Sequence, residues 1–335
     1  MTISRATLIE VAREANTSKT SVSRFFGPER DKLSPALKAR IDTAARTLGY
    51  QPNLMARGLK GGGTQLLGML VADIRNPFSV AAVHAVEQAA RARGYSLIVC
   101  NTGNDPSQEQ RHLALLTAYQ VEGLVVNAVG APHQALDSLT HTGVPVVLLD
   151  REIPSVSRAV VGLDNALAID TALDHLVARG YRQVLYVTND PATASARRER
   201  LERFIDQSAA RQLTAHVQSS LDPASLYPAL EALKTPSFHA PVAVLCANGT
   251  ATLSAVQGFQ AQGLPLGAVG LMGIDELDWC ALVGPGVTTL AQPFDAIGEA
   301  AIARLLDPPD TRITDRHAPH LLARGSTIHP DFPLI

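Results

Sequence analysis

A chain of 335 residues that is 46 % hydrophobic and 18 % charged carries enough apolar material for two or three folded domains. Its three cysteines, Cys100, Cys246 and Cys280, stand far apart with no CxxC, so neither a zinc finger nor a disulfide framework is indicated. The net charge of −2 conceals a polarity: residues 1–60 hold eleven Lys/Arg against five Asp/Glu, a surplus of six, and the remainder carries −8.

A basic head on an acidic body suits one part that meets a polyanion and one that does not. In chain order, Thr7 and Glu10 form a capping-box pair that opens a first helix with Leu8, Val11, Ala12 and Ala15 on its apolar face. Asn16 tolerates the left-handed backbone that ends it, and Ser18 caps a second helix. That helix buries Val22, Phe25 and Phe26 and leaves Lys19, Thr20, Ser23 and Arg24 on its open side. Two short helices joined by a tight turn are the shape that places one helix in a DNA groove. An ordinary helical hairpin would need no such basic surplus. A third helix begins at Ser34-Pro35 and runs through Leu37, Ile41, Ala44, Ala45 and Leu48 to Gly49, completing an all-α head over residues 1–50. Residues 51–64 read as a short helix, Leu54–Lys60, followed by a flexible joint at Gly61–Gly63.

From Gln65 the rhythm changes. Strand-length apolar runs alternate with helical patterns: Leu66–Val71, a helix near Phe78–Arg93, Leu97–Cys100, a helix near Gln108–Tyr119, then Leu124–Asn127 and Val144–Asp150. After Asn165 the series restarts with a helix to Arg179, strand Val184–Thr188, helix Ser195–Arg211, strand Val242–Ala247, a helix to Gln262 and strand Val269–Ile274. Continuous apolar strands indicate parallel sheets covered on both faces, and two sets indicate two doubly wound subdomains. Ligands of such sheets sit beyond the carboxyl ends of the strands, here the cleft between subdomains. No apolar run approaches the ~18 residues that span a bilayer and no leader is recognisable, so the expectation is a cytoplasmic protein without a membrane partner. Among motifs for enzymes, GxGxxG, a Walker loop, GxSxG and HExxH are all missing, and no cofactor, metal or catalytic residue is indicated.

The head Thr7-Leu8-Ile9-Glu10-Val11-Ala12…Ser18-x-x-Ser21-Val22-Ser23-Arg24 resembles the DNA-binding domain of LacI/GalR-type transcription repressors. Later stretches keep the same family order: Gly49-Tyr50-x-Pro52-Asn53-x-x-Ala56-Arg57-x-Leu59, Gly68–Val71 with Asp73 and Asn76-Pro77-Phe78, Val144–Arg151, Gly273-Ile274-Asp275, Thr288-Thr289-Leu290-x-Gln292-Pro293 and Arg324–Thr327. The likeness covers nearly the whole chain. It implies a helix-turn-helix head on a periplasmic-binding-protein-like α/β core, assembled as a homodimer or tetramer on double-stranded operator DNA and answering to a small effector. It divides the core into a first subdomain of about 65–163 with 293–322 and a second of about 164–292 with 323–335.

By the same resemblance Lys19 and Thr20 read bases, and Ser21, Ser23 and Arg24, with Thr7 and Ser18 at the helix starts, contact phosphates or a further base. In the linker, Asn53, Ala56, Leu59 and Lys60 meet DNA, Leu59 as an apolar wedge in the minor groove. The effector is expected at Asn76, Phe78, Asp150, Arg151, Arg197, Arg200, Asn248, Asp275 and Gln292, with Trp279 as a second aromatic wall. Carboxylates and amides suit paired hydroxyls, and forked guanidinium groups suit a carboxylate. Ser195-Ala196-Arg197-Arg198-Glu199-Arg200 packs three arginines into four residues, which favours a sugar acid; the wording is most similar to members that answer to 2-ketogluconate or related acids. There are departures. Asn16-Thr17 stands where the family has Gly-Val, the Gly27–Asp31 loop is about one residue longer, and Arg203 replaces a usual glycine. The competing class is a sugar-binding receptor with no gene-regulatory role, which would share the core but not the basic head.

Overall fold

The computed structural model describes residues 6–27, 29–51, 63–130, 136, 143–153, 158–234, 241–308 and 313–328. The chain divides into two compact units, 1–65 and 66–335.

In the first unit three helices, α1 (Leu8–Glu14), α2 (Lys19–Phe25) and α3 (Pro35–Thr47), enclose a core of Val11, Ala12, Ala15, Val22, Phe25, Ile41, Ala44 and Ala45. The Thr7 and Glu10 capping box is present, Glu10 N–H donating to Thr7 Oγ1 (3.3 Å) and Thr7 N–H to Glu10 Oε2 (2.6 Å). Ser18 Oγ accepts the Ser21 N–H (3.1 Å), which satisfies an orphan donor at the start of α2. Asn16 takes φ +46°, the left-handed turn that ends α1. The turn is also pinned from outside. Arg40 on α3 donates to Ala15 O (2.6 Å) and Asn16 O (2.5 Å), placing a cation at the carbonyl end of α1.

The second unit has two lobes. The first is a parallel sheet in the order β2-β1-β3-β4-β5-β11, from β1 (Leu66–Val71), β2 (Ser96–Asn101), β3 (Leu124–Val126), β4 (Val146–Leu149), β5 (Ala159–Leu163) and β11 (Thr314–His317). Helices α4 (Pro77–Ala92) and α5 (Pro106–Ala118) follow β1 and β2. The second lobe repeats the pattern, β7-β6-β8-β9-β10-β12, from β6 (Gln183–Val187), β7 (Thr214–Gln218), β8 (Val242–Cys246), β9 (Gly270–Ile274), β10 (Thr288–Ala291) and β12 (His320–Leu322). Its helices are α6 (Asn165–Ala178), α7 (Ser195–Ala210), α8 (Pro223–Glu231) and α9 (Gly249–Ala261). Central strands β4, β5, β8 and β9 are buried along their whole length, as strands covered on both faces must be.

The chain crosses between lobes three times. It leaves the first after β5 and returns after β10 into α10 (Phe294–Leu306), which packs on α4 so closely that a Cβ on Gly298 would lie 2.6 Å from the Ala85 backbone. The last crossing falls between His317 and His320. The boundary expected at 322 therefore lies slightly too late, because His320–Leu322 already pairs antiparallel with β10. In both sheets the order reverses beside the first strand of the lobe, a topological switch point that opens a crevice at the carboxyl ends.

Candidate functional site

The strand ends of both lobes carry charge where the cleft opens. β4, with all four residues buried, runs into Asp150 and Arg151. Asp150 has φ +63°, a region non-glycine residues seldom occupy, while its N–H still donates to Val161 O (2.8 Å). The matching position of the second lobe, Asp275 after β9, has φ +81° and donates its N–H to Leu290 O (3.0 Å). Such backbone costs on the order of 1–3 kcal/mol per residue and is retained where a site demands it.

Asp275 is 3 % exposed; its Oδ2 accepts the Gly249 N–H (2.9 Å) and its Oδ1 accepts from Gln292 Nε2 (2.6 Å). Burial pushes its pKa up, against the pull of Arg200 and these two donors. Arg200 on α7 is 4 % exposed. It donates Nε to Asn165 Oδ1 (2.6 Å) and Nη1 to Ala247 O (2.8 Å), and its Nη2 lies 3.7 Å from Asp150 Oδ1 across the cleft. Arg151 donates Nη1 to Ala128 O (2.9 Å), and Arg197, three residues before Arg200, donates to Thr193 Oγ1 (2.6 Å). Burial lowers the pKa of both guanidinium groups, and the Arg151 charge depresses Arg197 further.

Two residues double as helix caps. Asn248 Oδ1 accepts from Ala251 N–H (3.0 Å) at the start of α9, and its Nδ2 donates to Asn189 Oδ1 (2.9 Å). Asn76 Oδ1 accepts the Phe78 N–H (3.2 Å) at the start of α4, and the Phe78 ring meets Phe294 edge-on at 5.6 Å. Asn76, Phe78, Asp150, Arg151, Arg197, Arg200, Asn248, Asp275 and Gln292 all line one recess of about 30 Å³. A cavity of about 320 Å³, sharing Asn76, Arg151 and Arg197 and bounded also by Asn104, Asn127 and Asn189, adjoins it. Three buried atoms here have no hydrogen-bond partner: Asp150 Oδ1, Arg151 Nε and Gln292 Oε1. Two acceptors and one donor in the recess can therefore still form hydrogen bonds.

Trp279 does not join them. The turn after β9 folds back through Cys280 N–H to Leu277 O (2.8 Å) and Val287 N–H to Cys280 O (2.7 Å), which lays the half-buried indole against the second lobe's own apolar core. Two polar residues of the cleft escaped the sequence reading, Asn127, whose Nδ2 donates to Leu149 O (3.0 Å), and Asn189, as did two buried ones behind it, Asn165 and Glu109. Asn127 directly follows a strand, so the rule that picked Asp150 and Asp275 would have found it.

On the head, Lys19 and Thr20 are exposed on the first turn of α2, and Ser23 is half-buried. The Ser21 hydroxyl lies 3.0 Å from Ser18 Oγ and so completes the cap instead of standing free. Thr7 is occupied with Glu10, and Arg24 Nε pairs with Glu29 (3.1 Å) from the lengthened loop. Thr17 is half-buried beside the core and outside it, consistent with its hydroxyl. Asn53, Ala56, Leu59 and Lys60 lie outside the described residues.

Known proteins match both units. Residues 7–53 fit the family of bacterial regulatory proteins of the lacI type, and residues 64–318 fit the periplasmic binding proteins and sugar-binding domain of the LacI family. The HTH-type transcriptional regulator PtxS of Pseudomonas putida is 46 % identical over 329 residues, 96 % of each chain. The regulator KdgR of Bacillus subtilis is 34 % identical over 310 residues, 91 % of each. Among solved structures, the lac repressor dimer bound to operator and the anti-inducer ONPF aligns with a TM-score of 0.81 at 23 % identity, over 97 % of this chain and 99 % of that one. This chain thus belongs to the LacI family, as a DNA-binding transcriptional regulator, not an enzyme, with a sugar-type effector domain.

Proposed function

We propose that the effector is a polyhydroxylated carboxylic acid of the 2-ketogluconate class, held between the two lobes, and that it sets the affinity of a cytoplasmic homodimer for operator DNA. The observation that carries this reading is the pair Arg151 and Arg197. Both are desolvated, they repel one another, and their hydrogen bonds go to neutral oxygens. Desolvated cations are costly; Asp150, Glu109 and Asp190 offset only part of that cost here, and a ligand carboxylate relieves more of it. Gln292 Oε1 has no hydrogen-bond partner and Asp150 Oδ1 has only the Arg200 guanidinium at 3.7 Å, so both can accept from sugar hydroxyls. The transcriptional regulator CelR in complex with cellobiose and a periplasmic binding protein/LacI transcriptional regulator complexed with D-xylulofuranose share this fold, with TM-scores of 0.66 and 0.67. In the dimer two heads would stand about 34–36 Å apart, one helical turn, with Lys19 and Thr20 facing the major groove.

Calorimetric titration of the full-length protein with 2-ketogluconate, gluconate and glucose tests the reading. Both acids are expected to bind, and glucose far more weakly. Arg151→Met is expected to weaken acid binding by roughly 10–100-fold, the value of one or two charge-assisted hydrogen bonds. Because burial outweighs the attraction of Asp150 and Glu109 for the Arg151 charge, it is also expected to leave thermal stability unchanged or raised. Equal binding of glucose and the acids would overturn the choice of effector class.

A further inference from the structure

The first residue of α6, Asn165, sits at the first crossover and is 1 % exposed. It is not needed as a cap, because Asp164 Oδ1 already accepts the Leu167 N–H (2.9 Å). Its amide is committed elsewhere: Oδ1 accepts from Arg200 Nε (2.6 Å) and Nδ2 donates to Glu199 Oε2 (2.7 Å). The same Glu199 oxygen lies 3.5 Å from Arg316 Nη2, which also donates to Glu152 Oε1 (2.9 Å). Arg316 belongs to β11, the strand that feeds the last crossover. A connected set of hydrogen bonds therefore runs from the guanidinium facing the cleft to strands at two of the three lobe connections.

We propose that Asn165 is a positioning residue for effector binding: it fixes the Nε edge of Arg200 so that Nη2 faces Asp150 and the cleft, and it ties that group through Glu199 to Arg316. The proposal rests on the reading that Arg200 contacts the effector. Burying an asparagine amide is unfavourable unless both its ends are bonded, and here both are bonded to charged groups, the stronger kind of hydrogen bond. Arg200 has three substituents to hold. Ala247 O takes one and Asp150 faces another from the opposite lobe; without Asn165 the third is unheld, and the guanidinium plane is free to turn about the remaining contacts.

A double-mutant cycle decides it, since residues that act through one another give non-additive effects. Titrated with 2-ketogluconate, Asn165→Leu is expected to lose about tenfold in affinity in the wild-type background and less than twofold in the Arg200→Ala background. A structural role alone would give the same loss in both. Equal losses, or none in either, overturn the proposal. Should Asn165→Leu fail to fold, Asn165→Ser withdraws the amide from Arg200 and carries the same cycle. Urea unfolding of the four ligand-free proteins judges the pair independently: non-additive losses support it and additive losses overturn it. A wild type that takes up none of the acids overturns the effector reading alone.

Discussion

The head and the cleft both present cations, and they are built in opposite ways. On the head the cations are exposed: Arg24 and Lys32 have 49 % and 69 % of their side-chain surface in water, and both share Glu29. In the cleft Arg200 is 4 % exposed and Arg151 9 % exposed, and each is held by backbone carbonyls or an amide. Exposed charge acts at a distance, tolerates imprecision and is screened by salt. Buried charge acts only at contact, demands fixed geometry and is nearly indifferent to salt. The first suits a polyanion met from solution; the second suits one small acid chosen among many sugars.

Ionic strength separates the two most strongly. A protein making 6–10 phosphate contacts loses roughly 10³–10⁵ in duplex affinity between about 50 mM and about 200 mM salt. A loss of that order is expected for operator binding, measured by fluorescence anisotropy, while affinity for 2-ketogluconate over the same range changes less than about twofold. Comparable slopes for both ligands would erase the contrast.

Within the head, base-reading and phosphate-binding side chains are expected to behave differently. Lys19 stands exposed on the first turn of α2, where a recognition helix meets base edges. Lys19→Ala is expected to cost about 1–3 kcal/mol against the preferred operator and much less against unrelated duplex, which flattens sequence preference. A uniform loss across all sequences would reassign Lys19 to the phosphates.

Acid should weaken the body and spare the head, whose first sixty residues contain no histidine. His175 on α6 accepts or donates a hydrogen bond with Thr327 Oγ1 (2.8 Å), and Thr327 in turn pairs with Thr288 Oγ1 (2.7 Å), which fastens the segment after β12 to the second lobe. Burial first, and the Arg179 charge second, lower its pKa from 6.5 to about 4. The unfolded chain therefore binds a proton that the folded one refuses. Stability is complete above the unfolded value of 6.5 and is lost as pH falls from there toward 4. Allowing for partial exposure, the loss is roughly 2 kcal/mol. Urea titrations across this window check it, and His175→Gln is expected to flatten the dependence.

Legibility in the sequence follows the same division between what is local and what is assembled. Buried strands announce themselves as apolar runs, so β1, β6, β8 and β9 fall where periodicity places them. Edge strands β7 and β11 do not: they read Thr-Ala-His-Val-Gln and Thr-Asp-Arg-His, half-exposed strands with no apolar run to mark them, unlike edge strand β2. Short β5, with Gly162 inside it, escapes for a related reason. Strand ends such as Asp150, Arg151, Asn248, Asp275 and Gln292 and the helix positions Phe78, Arg197 and Arg200 share one recess because the topology brings them there. Trp279 fails that rule because a residue five past a strand end belongs to a turn, whose direction hydrogen bonds decide. Asn165 and Glu109 are invisible to any local pattern; their meaning lies in partners 34 and 20 residues away.

The smallest expected effect lies in the lengthened loop of the head. Glu29 pairs with Arg24 and with Lys32, and these two partners hold its carboxyl below the usual range, Lys32 more than Arg24. Exposed pairs of this kind contribute little to stability, about 0–1 kcal/mol. If Arg24, the last cation of α2, meets phosphates as proposed, Glu29 competes with DNA for it. Glu29→Gln is expected to leave thermal unfolding nearly unchanged and to raise duplex affinity by a few-fold, with a steeper salt dependence of about one added phosphate contact per head. Unaltered affinity at low salt would mean that Arg24 keeps its distance from the phosphates, and that the longer loop serves to hold α2 and not to meter its charge.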